Sequence, residues 1–214
     1  MKLTLRLLLM FSTFAAQGQG VVYFVNDTLI LTSPPDRLIR FASSDTPGNP
    51  FGTNNAPAVG TNFLVQLYYG STSASEASLT PVSSAPAILR TSTTPMPGLW
   101  AGGGDRTLSG VDFGATALLQ VRVWNYFDGA TYEEALANNP FGLSGKSQPF
   151  AFEVPVPPAP PGAYYMVNFQ GFSLSVPEPP AACLCLLGFA TLLLKASRRN
   201  VARCFSSGRR SRRT

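Results

Sequence analysis

Alternation with a period of two runs through the middle of this chain. In Phe63-Leu64-Val65-Gln66-Leu67-Tyr68-Tyr69, one face carries Phe63, Val65, Leu67 and Tyr69. In Leu119-Gln120-Val121-Arg122-Val123-Trp124-Asn125, Leu119, Val121 and Val123 form an apolar face, and Gln120 and Arg122 point the other way. Tyr165-Met166-Val167-Asn168-Phe169 repeats the pattern with Tyr165, Val167 and Phe169. A pleated strand sends successive side chains to opposite faces, so this spacing marks half-buried strands of an antiparallel sheet. Strands are expected over residues 21–25, 28–31, 38–41, 63–69, 87–90, 106–111, 119–125, 149–154 and 165–169. Pro- and Gly-rich pieces at 46–52, 94–104 and 155–162 separate them. Residues 132–138 predict one or two helical turns, ended by Asn139-Pro140. Many short strands with such punctuation predict an all-β fold, an antiparallel β-sandwich over residues 21–175. The run from Pro155 to Pro161 reads as a stiff connection inside that domain, because the strand pattern resumes at Tyr164.

Both ends break the pattern. At the N-terminus, Lys2 and Arg6 precede an apolar stretch from Leu7 to Ala16, and small residues follow at Ala16, Gly18 and Gly20. That layout predicts a signal peptide over residues 1–20, its apolar stretch a helix, with the Ala16-Gln17-Gly18 spacing best suited to cleavage. At the other end, Ala181 to Leu194 holds no charge and only Thr191 as a clearly polar side chain. As a helix it spans roughly 21 Å, short of the ~30 Å hydrocarbon core. A buried core helix is therefore one reading. The flank favours the membrane, since Lys195, Arg198, Arg199 and Arg203 follow at once and such side chains snorkel to headgroups.

Charge separates the chain into unlike parts. Of 16 Lys and Arg, Lys2 and Arg6 lie in the leader and eight lie in the last 20 residues, whereas all 11 Asp and Glu lie between residues 21 and 194. The formal +5 thus belongs to the ends and not to the central domain. A basic tail beside an apolar run reads more simply as positive-inside retention than as a nucleic-acid contact, so no nucleic-acid partner is expected.

Pro177-Glu178-Pro179, the apolar stretch through Leu194 and the cluster Lys195, Arg198 and Arg199 stand in that order near the C-terminus. This tail resembles the PEP-CTERM sorting signal of bacterial envelope proteins. The stretches GTNFLVQLYYG, ALLQVRVWNY and FGLSGKSQPFAF also resemble secreted β-rich proteins that carry this signal. Cys183 and Cys185 within the run, and 15 residues beyond Arg199, depart from the usual pattern. The resemblance implies a sorting signal with a short transmembrane helix over 176–199 and a basic cytoplasmic tail over 200–214. It implies recognition by an exosortase, a membrane cysteine transpeptidase, with cleavage near Pro177-Glu178-Pro179. The expected location is the inner membrane before processing, then the cell envelope or the extracellular space.

Catalytic chemistry is sparse. The chain has no histidine, which removes the commonest general base and metal ligand. Its cysteines, Cys183, Cys185 and Cys204, all lie in or after the apolar run, so the central domain has no disulfide and no thiol nucleophile. Gly102-Gly103-Gly104-Asp105 lacks the Lys of a phosphate loop. Asp105, Asp112 and Asp128 match no calcium-loop spacing. No catalytic residue, metal or cofactor is expected, and a structural or adhesive role is the first reading. The alternative is an anchored carbohydrate-binding module or weak glycoside hydrolase. For hydrolysis the acid pair would be Glu133 with Asp112 or Asp128. For binding to extracellular polysaccharide, aromatic faces including Tyr126 and Tyr132 are available, and Trp124 is the expected sugar contact.

Overall fold

In the computed structural model, residues 19–27 and 36–176 are described. The chain divides into two compact units, Met1–Ser175 and Val176–Thr214, and only the first contains described secondary structure. Its elements run β1 (Gln19–Phe24), β2 (Arg40–Phe41), β3 (Phe63–Ser71), β4 (Thr80–Pro81), β5 (Ala87–Leu89), β6 (Trp100–Ala101), β7 (Gly104–Asp112) and β8 (Thr116–Asn125). The helix α1 (Tyr132–Asn138) follows, then β9 (Ser144–Lys146), β10 (Phe150–Glu153) and β11 (Ser173–Leu174). The described residues form an all-β fold of mostly antiparallel sheets.

The two segments with the strongest alternation make its centre. β3 and β8 pair antiparallel from Phe63↔Asn125 to Ser71↔Ala117 without a register break. The large sheet runs β10-β8-β3-β5-β6, with β4 paired to β3 and β9 to β8. β1 and β7 form a separate antiparallel ribbon. β2 and β11 pair in parallel, a departure from the antiparallel expectation. Between these layers lies one core: Phe63, Val65, Leu67, Leu119, Val121 and Val123 of the large sheet meet Val22, Phe24 and Leu108 of the ribbon and Phe41 and Leu174 of the parallel pair.

Three expectations change. The second face of β3 and β8 was expected to meet water, yet Gln66, Tyr68, Gln120, Arg122 and Trp124 are all buried. Residues 74–79 and α1 cover it, with Leu79, Tyr132 and Ala135 packing on Tyr68 and Trp124. Most of the buried polar atoms there tolerate the covering because they are hydrogen-bonded, although Gln66 Oε1 is left without a partner. Gln66 Nε2 donates to the carbonyls of Val82 (2.7 Å) and Ser84 (3.0 Å), and Gln120 Nε2 donates to Ser147 O (2.9 Å).

Residues 165–169 form no strand. Tyr165 makes a single bridge to Tyr23, and the chain then turns, with Phe169 N donating to Met166 O at 3.0 Å. Met166 and Phe169 are buried and Val167 is exposed, so the apolar spacing is that of a turn, three and not two. Gln19 and Gly20, placed in the leader on sequence, open β1 opposite Asp112 and Leu108. The expected strand at 28–31, the signal helix, the Pro177-Glu178-Pro179 motif and the Lys195, Arg198 and Arg199 cluster lie outside the described residues. Among the described residues, no helix is long and apolar enough to cross a membrane.

Candidate functional site

α1 decides what the region around Trp124 offers. Seven residues are too few for a helix to stand alone, so its ends need anchors. Thr131 supplies a capping box: Glu134 N donates to Thr131 Oγ1 at 3.2 Å, and Thr131 N donates back to Glu134 Oε2 at 3.3 Å. Glu133 and Glu134 sit in the first turn, where the helix dipole favours carboxylates. At the far end, Asn138 Nδ2 donates to Asp128 O and Asn139 Nδ2 to Asp128 Oδ1, each at 2.8 Å. Gly129 lets the helix fold back closely, since a Cβ there would lie 2.5 Å from Ala135 N.

The helix buries Trp124, which is 1% exposed. Its indole Nε1 donates to Gly129 O at 3.0 Å, and its ring meets Tyr132 edge-on at 6.2 Å. The expected sugar contact at Trp124 is thereby corrected: no ring face is open to stack on a sugar. Alternation placed it on the right face, but that face is covered.

Beside Trp124 lies a polar cluster. The Arg122 guanidinium stacks 3.9 Å above the Tyr68 ring. Arg122 Nη1 pairs with Glu133 Oε1 at 2.7 Å, Nε donates to Gln120 Oε1 at 2.8 Å and Nη2 to Glu76 O at 2.9 Å. Tyr68 OH donates to Glu133 Oε2 at 2.8 Å. Burial first, and then this bond to a carboxylate, push the Tyr68 phenol well above its usual value. Burial also raises Tyr132. Lys146 pairs with Glu76, and their hydrogen bond, followed by that from Gln120, holds the Glu76 carboxyl below the usual range. Both oxygens of Glu133 are thus engaged in fastening α1 to β3 and β8. Asp128 is likewise engaged by Asn139. Among the described residues, no group of three or more Asp, Glu, Cys or His is placed to share a metal ion.

What remains open is the corner where β8 leaves the sheet. Tyr126 is 45% exposed, Phe127 73% and Phe141 59%. The Tyr126 and Phe127 rings lie against each other, centroids 4.0 Å apart and planes 36° from parallel. Their turn is held by Tyr126 N to Asn62 O at 2.9 Å, Phe127 N to Asn125 Oδ1 at 3.1 Å and Asp128 N to Asn125 O at 3.1 Å. Tyr126 was among the aromatics noted on sequence. Phe127 and Phe141 were missed, and the available signal was their place in two Gly-containing turns, Phe127-Asp128-Gly129 and Pro140-Phe141-Gly142, where no strand periodicity calls for an apolar residue. Elsewhere, a groove of about 460 Å³ runs between β10 and the Pro-rich connection, lined by Val154, Val156, Tyr165 and Val167, and another of about 390 Å³ is lined by Tyr23, Val25, Leu99 and Trp100. No protein-family model, curated protein or solved structure matches the chain.

Proposed function

We propose that this chain is an exported bacterial envelope or extracellular-matrix protein, sorted through its C-terminal signal and serving a structural or adhesive, non-catalytic role. The observation that carries the reading is the order of Pro177-Glu178-Pro179, the uncharged run Ala181 to Leu194 and the Lys195, Arg198 and Arg199 cluster, behind a signal-peptide layout at the other end. The partner is an exosortase-type membrane transpeptidase, engaged at the inner membrane before release to the envelope. The single core shared by the large sheet, the β1–β7 ribbon and the β2–β11 pair supports a β-sandwich for the exported part. The engagement of Glu133 and Asp128 in fastening α1 favours a structural over a hydrolytic use of those carboxylates.

Mass spectrometry of the C-terminal peptide, from cells that carry the matching exosortase, tests this. The mature protein is expected to lose everything from about Ala181 onward. Pro177→Ala with Glu178→Ala is expected to leave the chain anchored and uncleaved, whereas Arg198→Glu with Arg199→Glu is expected to misplace it. Recovery of peptides containing Arg209 to Arg213 from the extracellular form would overturn sorting by cleavage.

A further inference from the structure

Exposed aromatic rings gathered on one rigid corner call for an explanation that scattered surface apolar residues do not. The Tyr126–Phe127 turn and the Asn139–Gly142 turn are tied together by the hydrogen bonds that the Asn138 and Asn139 side-chain amides donate to Asp128. Gly142 fits against Asp128 so closely that a Cβ there would lie 2.7 Å from Asp128 Oδ2. Tyr126, Phe127 and Phe141 are therefore carried on joined turns, each closed by its own backbone hydrogen bonds, and the backbone that carries the rings needs little ordering on binding.

The chemistry around the rings narrows the occupant. Residues 125–143 contain Asp128, Glu133 and Glu134 and no Lys or Arg. Glu133 is paired with Arg122, so within this segment Asp128 and Glu134 carry the net charge. Such a surface repels phosphate, anionic lipid and acidic polysaccharide. Three rings fall far short of the roughly 800 Å² per partner of a stable protein interface. A pyranose ring fits both features: its C–H face packs on an aromatic ring, and its hydroxyls can donate to the side-chain oxygens of Asn138 and Asn139, whose NH2 groups hold Asp128.

We propose that the Tyr126, Phe127 and Phe141 corner is a binding platform for a neutral glucan. This goes beyond the sorting reading and does not rest on it, because the purified chain tests it in the absence of an exosortase. Affinity electrophoresis of the full-length chain in mild detergent, with gels containing hydroxyethyl cellulose, laminarin, soluble starch or alginate, gives the readout. Retardation is expected in at least one neutral polymer and not in alginate. Phe127→Ala, and independently Tyr126→Ala, are expected to weaken it roughly tenfold each, from the lost ring contact. Phe51→Ala removes a ring of similar exposure (43%) outside this corner and is expected to change nothing. Unchanged melting of Phe127→Ala and Tyr126→Ala shows that any loss is local. Three results overturn the proposal: no retardation in any neutral polymer, retardation that survives both ring removals, or self-association of the chain that Phe127→Ala disperses. The last would make the corner a contact between copies.

Discussion

Tyr68 shows how one residue's surroundings set a measurable property of the whole chain. It is 1% exposed, sits under Arg122 and donates to Glu133. Its phenol is raised by burial and by that hydrogen bond, so the folded state holds the proton after the unfolded chain has begun to lose it. A raised folded value contributes stability that is complete below the unfolded value, about 10, and is lost as pH rises further. Tyr132 acts with the same sign. Stability is therefore expected to stay level on this account to about pH 10 and to fall above it. Tyr68→Phe is expected to cost about 1 kcal/mol at neutral pH through the lost hydrogen bond, and to make the alkaline fall shallower. Urea titrations from pH 7 to 11 measure both effects, and an alkaline limb as steep in Tyr68→Phe as in the parent would contradict this assignment. No sequence pattern announces the arrangement, because Glu133 lies 65 positions from Tyr68.

At the scale of elements, α1 is the informative case. Its position was legible: Thr131 and Glu134 have capping-box spacing and Asn139-Pro140 ends it. Its role was not, because a seven-residue helix carries no face long enough to say what it covers. It covers Trp124 and closes the Arg122 cluster, which is why the sugar contact expected at Trp124 fails and Gln120 and Arg122 are buried. Thr131→Ala is expected to destabilise the fold by about 1 kcal/mol through the lost cap, with Thr131→Ser close to the parent. Thermal melts of the two variants make the comparison. A neutral Thr131→Ala would mean that packing on Trp124 and the ion pair to Arg122 hold the helix without its cap. Strand existence was readable wherever alternation was long, as in β3 and β8, and unreadable in two-residue pairings such as β4, β6 and β11, where the partner strand and not the segment defines the element.

For the whole molecule, the proposed leader and the fold meet at β1. Gln19 and Gly20 pair with the β7 strand, and a Cβ at Gly20 would lie 2.9 Å from Val154 Cγ1, so the strand's first residues are packed into the fold. Cleavage after Gly18, the small residue of Ala16-Gln17-Gly18, keeps β1 whole, whereas cleavage after Gly20 removes its first pairs. Under the proposed export, N-terminal sequencing of the mature protein is expected to begin at Gln19. A start at Val21 or later would show that the β1–β7 pairing tolerates loss of that end.

The sequence by itself determined the β character of the central region, the site of α1, and the expectation of export and sorting. These follow from local quantities: side-chain period, turn residues and the order of apolar and charged blocks. Only the tertiary structure decided which faces meet water. Alternation assigns residues to two sides of a strand, and it carries no information on what lies over either side. The covering of β3 and β8 by α1 and residues 74–79 turned a nominally exposed face into a second core, with buried amides and Arg122 bonded to carbonyls far along the chain. The same packing left Phe127 and Phe141 outside. Burial is a property of the contacts between segments, and segments 65 residues apart meet only once the chain is folded.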